Sequence, residues 1–265
     1  MMSPGKIFTA AVCALVLSGN AWAQNSTFTP TVGQAGKDVV WVPTSQALVD
    51  RMLDMAKLTP KDYLVDLGSG DGRTVITAAK RGATARGIEF NPDMVALSRR
   101  TAEEEGVADR AKFEQADIFQ SDFSDATIVT LFLLPELNLR LRPTLLDMKP
   151  GTRVVSNSFD MDDWEPDETA RVSEGCSDYC TAYRWVVPAK VAGTWKMAEQ
   201  ELALVQTFQT LQGTLGREAI SDARLDGARI RFSVGKDVYT GVVNGNEMRG
   251  AVNGKGTWRA TSIGG

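Results

Sequence analysis

A glycine-rich turn that carries acidic residues follows a short apolar run in this 265-residue chain. The segment Val65 to Arg73 has the sequence VDLGSGDGR. Its alternating glycines allow positive φ angles and let a ligand approach the main chain where a Cβ atom would collide. The pattern predicts a binding loop for a nucleotide-type ligand between a strand and a helix. The residues expected to contact this ligand are Asp66, Gly68, Ser69, Gly70, Asp71 and Gly72.

One acid within this loop indicates which nucleotide is bound. A dinucleotide-binding loop has the spacing G-x-G-x-x-G and leaves the helix N-terminus free for a pyrophosphate. Here Asp71 stands where that anion would lie, and a carboxylate repels phosphate. The loop therefore favours a ligand with a sulfonium and an ammonium group but no phosphate, which describes S-adenosylmethionine.

Two further acids follow at the ends of the next predicted strands. Glu89 lies seventeen residues after Gly72 and is expected to accept hydrogen bonds from the ribose hydroxyls. Asp117 is expected to accept a hydrogen bond from the adenine amino group, with Ile118 or Phe119 packed on the ring. An alternative for Glu89 is an ordinary ion pair with a neighbouring arginine.

These three elements resemble, in the same order, the first motif, the ribose acid and the adenine acid of class I S-adenosylmethionine-dependent methyltransferases. The segments Trp41 to Thr44 and Gly87 to Pro92 extend the similarity over about residues 39–165. They resemble the small protein-lysine methyltransferases that modify the c-subunit of ATP synthase and the adenine nucleotide translocase. The resemblance implies S-adenosylmethionine as cofactor, a lysine amine as acceptor and a substrate-side loop at Pro43 and Thr44.

Two candidate residues also have simpler interpretations. Asn91 precedes Pro92, a pattern typical of a helix N-cap followed by proline in the first turn, so a cofactor contact by Asn91 is a secondary role. The chain contains no histidine, so Glu136, just after the fourth predicted strand, is the candidate base for deprotonating an amine. Its alternative role is a favourable charge at a helix N-terminus.

Apolar strand-like runs alternate with helical segments from residue 39 to residue 189. This alternation predicts an α/β fold, a Rossmann-like, doubly wound and mostly parallel sheet. The resembling family has seven strands, the last of which form a closing hairpin. In this chain that hairpin is expected at residues 169–173 and 182–187.

The composition changes after Pro188. Residues 190–265 contain no proline and 12 of the 24 glycines, with tight-turn signals between short alternating runs. We predict a second module of five or six antiparallel strands, which forms a small barrel or a curled sheet. Two similar segments, starting at Gly193 and Gly256, are expected to pair as closing strands, with Trp195 and Trp258 in the core. No pattern in this module indicates chemistry.

The N-terminus has the features of an export signal. Lys6 is the only charge before an apolar run from Ile7 to Leu17, and Ala21-Trp22-Ala23 offers a cleavage site after Ala23. Residues 1–23 are therefore predicted to be a signal peptide and residues 24–38 a flexible lead-in. We expect a periplasmic or secreted protein without stable membrane insertion, because the apolar run is short; an uncleaved anchor is the alternative.

Charge and cysteine content narrow the choice of partners. Residues 24–189 carry a net charge of −8, which disfavours nucleic acid and leaves a protein or a small molecule as methyl acceptor. Cys176 and Cys180 are expected to form a disulfide in an oxidising compartment. A zinc site is the rival interpretation, but two cysteines alone do not complete one.

Two functions remain open at this stage. The first is an exported methyltransferase that acts on a protein amine. The second is an exported protein that keeps the methyltransferase fold and binds a nucleoside without turnover, as an envelope interaction module. S-adenosylmethionine is made in the cytoplasm, so the first function requires a route that supplies the donor to an exported enzyme.

Overall fold

The computed structural model describes Met1 and residues 28–263. The predicted signal peptide and its cleavage site lie outside these residues. Within the described part, no helix is both long enough and apolar enough to cross a membrane. The helices are α1 Gln46–Met55, α2 Arg73–Lys80, α3 Pro92–Glu104 and α4 Pro135–Leu146. The strands of the first sheet are β1 Tyr63–Leu67, β2 Thr84–Glu89, β3 Ala111–Gln115, β4 Ile128–Leu131, β5 Arg153–Asn157, β6 Glu168–Arg171 and β7 Thr181–Val186.

The first sheet has seven strands in the order β3-β2-β1-β4-β5-β7-β6. Strands β1 to β5 pair in parallel, whereas β7 is antiparallel to both β5 and β6. The order reverses between β1 and β4, which is where open α/β sheets bind ligands beyond the carboxyl ends of their strands. The predicted doubly wound, mostly parallel sheet is confirmed.

Local sequence explains where the helices that flank this sheet begin. Ser45 caps α1 by accepting a hydrogen bond from the Leu48 amide. Asn91 caps α3 by accepting from the amides of the next two non-proline residues, with Pro92 in the first turn as predicted. The strands between these helices are buried on both faces; in β1, the four residues from Leu64 to Leu67 are all buried.

The second module is a closed barrel of eight antiparallel strands, ordered β10-β11-β12-β13-β14-β15-β8-β9. The expected count of five or six strands is wrong. Strand β11 shows why, because only Leu225 of its nine residues is buried and no apolar alternation marks it. The strands are β8 Gly193–Met197, β9 Gln200–Thr207, β10 Thr210–Leu215, β11 Glu218–Asp226, β12 Arg229–Val234, β13 Asp237–Asn244, β14 Glu247–Val252 and β15 Gly256–Ser262.

The barrel closes as expected from the two similar segments. Strand β15 pairs with β8, and Thr261 stands opposite Lys196. Trp195 and Trp258 are buried in the barrel core.

Hydrogen bonds and stacked rings join the barrel to the first sheet. The indole N–H of Trp164 donates to the side-chain oxygen of Gln209 at 3.0 Å, and the Gln209 amide group donates to the Glu165 carbonyl. The rings of Trp164 and Phe208 stack with centroids 5.9 Å apart. The barrel thus supports the loop between β5 and β6, which reaches the edge of the first sheet.

Candidate cofactor-binding site

A cavity of about 540 Å³ lies at the carboxyl ends of the parallel strands, next to the strand-order reversal. This volume is within the range of small-molecule sites. The cavity brings together nine of the eleven residues that the sequence nominated for the site. These nine are Asp66, Gly68, Ser69, Gly70, Asp71, Glu89, Asn91, Asp117 and Ile118.

Asp66 is the buried acid of this cavity. The register of β1 and β4 sets Asp66 beside Thr130, whose hydroxyl donates to the carboxylate at 2.6 Å. Burial, followed by the negative charges of Glu89 and Asp71, raises the pKa of Asp66 to about 7, although the Thr130 hydrogen bond opposes the shift. A cation in the cavity would stabilise the ionised form.

Glu89 is oriented by the main chain. One carboxylate oxygen accepts from the Gly70 amide and the other from the Asn91 amide, both at 2.9 Å. Two backbone hydrogen bonds fix this carboxylate between the glycine loop and α3, and the residue stays part-exposed at the cavity. Its arrangement suits a ribose diol. It does not form the pair with Arg73 or Arg86 that was the alternative, because Arg73 pairs with Asp71 and Arg86 with Glu114.

The glycine loop is tight at two of its positions. Gly70 has a φ of 53°, and a Cβ there would lie 2.7 Å from the indole nitrogen of Trp41. Gly72 has a φ of 80°, and a Cβ there would meet the Phe113 ring and Ser98 at 2.7–2.8 Å. Gly72 is not among the cavity-lining residues. Close packing at the start of α2 explains the glycine at this position, and a cofactor contact by Gly72 stays a prediction.

Asp71 is paired within the loop. Its carboxylate forms an ion pair with Arg73 at 2.5 Å, and Arg73 also donates to the Thr44 carbonyl at 2.7 Å. The charge of Asp71 is therefore balanced locally. Asp66 and Glu89 are two further carboxylates that line the cavity beside this ion pair.

The adenine end is covered by the segment before α1. Lys37 forms an ion pair with Asp117 at 2.8 Å, and this hydrogen bond lowers the pKa of the Asp117 carboxyl. The ammonium of Lys37 also lies 5.2 Å from the centre of the Phe90 ring. The described part of the expected flexible lead-in thus has defined contacts, including a bridge between Ala35 and Val40. These contacts are tertiary, so local periodicity did not indicate them.

Glu136 is exposed in the first turn of α4 and does not line the cavity. The structure therefore does not bring this candidate base to the site. A carboxylate in the first turn of a helix interacts favourably with the helix dipole. The position of Glu136 thus agrees with the structural role, and its role as a base stays a prediction.

Three residues of the site escaped the sequence reasoning. Thr130 is the one polar residue of the four-residue strand β4. A single hydroxyl in an apolar strand could have indicated that this residue contributes to the site. Lys37 lies before α1 in a segment without a pattern that predicts a cavity wall. Trp41 belongs to the segment that carries the family resemblance, but it was not assigned to the site.

The residues present fit S-adenosylmethionine. Two carboxylates, Asp66 and Glu89, suit an ammonium or sulfonium and a ribose. The glycine turn leaves the main chain accessible, and the buried hydroxyl of Ser69 has no hydrogen-bond partner among the described residues, so it is available to a ligand. Sheet order, strand-reversal cavity and donor set together define a class I S-adenosylmethionine-dependent methyltransferase.

Comparisons with known proteins identify the family. Residues 66–168 match the model of the ANTKMT methyltransferase domain. A protein-lysine N-methyltransferase of Saccharolobus islandicus is 41% identical over 152 residues, which cover 56% of this chain and 94% of that protein. The human lysine N-methyltransferase of the ATP synthase C-subunit is 36% identical over 57% of this chain and 66% of its own length. The chain belongs to the S-adenosylmethionine-dependent protein-lysine N-methyltransferases, and residues 66–168 are a methyltransferase domain of the ANTKMT type.

A solved structure supports the cofactor. The crystal structure of an RNA methyltransferase from Salinibacter ruber in complex with S-adenosyl-L-homocysteine is 49% identical and has a TM-score of 0.53. The match covers 57% of this chain and 96% of that one. The family model ends at residue 168, so the barrel lies beyond it.

Proposed function

We propose that this protein transfers a methyl group from S-adenosylmethionine to the ε-amine of lysine in a protein. The proposal rests on one observation. Two carboxylates held by hydrogen bonds, those of Asp66 and Glu89, line a cavity whose basic side chains already form ion pairs with other acids. Among the described lining residues these basic side chains are Lys37 and Arg73, each in an ion pair. The names of the archaeal and human relatives supply the lysine acceptor.

The chain's own part in the reaction is positioning. S-adenosylmethionine supplies an activated methyl group whose transfer is an in-line displacement. The acids and the glycine turn hold the donor, and the neutral leaving group needs no acid catalyst. The cavity wall contains Leu131, Leu133 and Leu134. This apolar wall disfavours an ammonium, so the lysine releases its proton to water as it enters and reaches the methyl group as the neutral amine. Correct alignment of donor and amine supplies the main rate enhancement.

A protein acceptor agrees with the electrostatics better than a nucleic acid does. Residues 24–189 carry a net charge of −8, and a polyanion is repelled by such a module. The related Salinibacter structure is titled an RNA methyltransferase, so RNA belongs in any assay as a competing acceptor.

The place of action is part of the proposal. The N-terminal sequence has the features of a cleavable export signal, and Cys176 is joined to Cys180 by a disulfide in the structure. Disulfides persist mainly in oxidising compartments. We therefore propose a periplasmic or secreted enzyme whose acceptor is an envelope or extracellular protein.

The test incubates purified protein with methyl-labelled S-adenosylmethionine and, separately, envelope protein extract and total RNA. The expected result is label on protein bands, found as methyl-lysine by mass spectrometry and lost in Asp66→Asn and Glu89→Gln. Glu136→Gln is the matched control, because it changes an exposed glutamate outside the cavity and should keep the label. Label only in RNA would contradict the proposal, and binding without label in any fraction would favour a binding protein without turnover.

A further inference from the structure

Three aromatic rings from three different loops meet at one side of the cofactor cavity. Phe132 follows β4, Phe159 follows β5 and Tyr179 precedes β7. The Tyr179 ring centre lies 5.3 Å from that of Phe132 and 6.1 Å from that of Phe159. The rings of Phe132 and Phe159 are 6.2 Å apart. All three residues line the same cavity as Asp66.

This cluster is accessible from solvent. Tyr179 is 46% exposed, and Phe132 and Phe159 are part-exposed. A cluster that served only as core packing would be closed to water. The rings instead form an open apolar wall that leads from the protein surface toward the donor position.

The chemistry of this wall matches a lysine side chain. Aromatic faces pack against an aliphatic stem and attract an ammonium group through cation–π interactions. We propose that Phe132, Phe159 and Tyr179 form the acceptor subsite, which receives the side chain of a lysine in a cationic protein segment. This inference rests on the proposed function and identifies the surface to which the methyl acceptor binds.

The rim of the subsite is acidic. Asp160 follows Phe159 in the chain, Asp178 precedes Tyr179, and both acids are exposed. The segment from residue 158 to residue 178 holds eight acidic residues and one basic residue. Three of these acids, Asp163, Asp167 and Glu168, form ion pairs with arginines from outside the segment, so five acids remain against one base. Such a rim attracts a lysine-rich segment and repels a polyanion.

Groups outside the cavity fix two of the rings. The buried side-chain amide of Asn138 donates to the carbonyls of Phe159 and Asp160 at 3.2 and 3.1 Å. Tyr179 lies between the two bonded cysteines and has a φ of 55°, a conformation that non-glycine residues rarely adopt. The disulfide closes this short loop, so it is a positioning device for the Tyr179 ring.

The experiment measures initial rates with poly-L-lysine as acceptor and determines the S-adenosylmethionine Kd of each variant by calorimetry. Tyr179→Ala and Phe159→Ala should each raise the KM for poly-L-lysine about tenfold, as expected for loss of an aromatic contact to a cation. The S-adenosylmethionine Kd should stay within about twofold, because the proposal assigns both rings to the acceptor and not to the donor. Tyr179→Phe, which keeps the ring, should restore the KM. Val242→Ala, a change at an exposed barrel residue, is the control for surface substitution.

The outcomes separate this inference from the proposed function. If the alanine variants bind the donor and keep the KM for poly-L-lysine, the acceptor subsite is wrong and lysine methylation stands. If the unsubstituted protein binds the donor but labels no poly-L-lysine and no extract protein, lysine methylation itself fails and this inference falls with it. If total RNA but not poly-L-arginine competes with poly-L-lysine for the enzyme, the acidic-rim argument is contradicted.

Discussion

The carboxylate of Asp66 and the hydroxyl of Thr130, on adjacent parallel strands, form a buried hydrogen bond of 2.6 Å at the floor of the cofactor cavity. The pair keeps an acid in place in an environment that opposes its charge, since burial raises the pKa of Asp66 to about 7. Ionisation of this buried carboxyl therefore destabilises the folded protein, and a bound cationic ligand offsets this destabilisation. The first two predictions follow from this balance.

Asp66→Asn should stabilise the protein and weaken its binding of the donor. Below about pH 3 the carboxyl is protonated in both folded and unfolded chains, so it imposes no ionisation cost. The cost grows as pH rises toward the folded pKa and is complete above about pH 7. The gain in free energy of unfolding should be about 2–4 kcal/mol at pH 8 and clearly smaller at pH 5. Urea denaturation at both pH values measures it, with exposed Asp109→Asn as the control; an equal effect at the two pH values would contradict the assignment.

Donor binding should depend on pH in the same range. The sulfonium and ammonium of S-adenosylmethionine favour the ionised carboxylate, so the complex lowers the pKa of Asp66 below its free value of about 7. Affinity should be level above about pH 8 and fall toward about tenfold per pH unit below pH 7, until the pKa of the complex is reached. Titrations at pH 6 in buffers of different ionisation enthalpy should show release of close to one proton. Uptake of a proton on binding would contradict the predicted ionisation of Asp66 in the complex.

Gly70 should tolerate no side chain. Gly70→Ala adds a methyl group 2.7 Å from the Trp41 indole nitrogen at a φ of 53°, and the expected loss of stability is about 1–3 kcal/mol or more. Gly106→Ala is the matched control, because its φ is 68° and no atom lies within 4 Å of the added carbon. Thermal unfolding and donor titration of both variants separate backbone strain from collision. Equal losses of stability and unchanged donor binding would show that the approach of Trp41 is unimportant.

Reduction of the Cys176–Cys180 disulfide should impair acceptor binding more than donor binding. Opening the bond frees the loop that carries Tyr179, so the KM for poly-L-lysine should rise several-fold while the S-adenosylmethionine Kd holds. The double variant Cys176→Ala, Cys180→Ala should behave like reduced and alkylated protein. A matching rise in the donor Kd would instead indicate a general loss of structure around the cavity.

Much of the fold and part of the site were predictable from sequence, for reasons that individual residues make clear. Asp66, Glu89 and Asp117 stand at strand ends, and parallel strands bring their carboxyl ends to one edge, so spacing alone placed these acids together. Gly70 and Gly72 occupy similar positions in the sequence motif. In the structure Gly70 lines the cavity, whereas Gly72 packs against Phe113.

The remaining features depend on contacts that local patterns do not encode. Lys37 reaches Asp117 across 80 positions of the chain, and the pairing of Asp71 with Arg73 changed the role that this acid would have in isolation. Glu136 lies outside the cavity lining, because proximity to a strand end does not determine the direction of a side chain at a helix start. The barrel strand β11 was not predicted from the sequence, because its side chains are mainly exposed and show no apolar alternation.

The central claim is that the acids of this cavity select a cationic, phosphate-free nucleoside. Calorimetric titration at pH 8 with S-adenosylmethionine and, separately, with ATP tests it most directly, using Glu89→Gln as the site control. The account predicts one S-adenosylmethionine bound per chain, a much weaker interaction in Glu89→Gln, and no saturable heat with ATP. Binding of ATP as tight as that of S-adenosylmethionine, or no heat with either nucleoside, would contradict it.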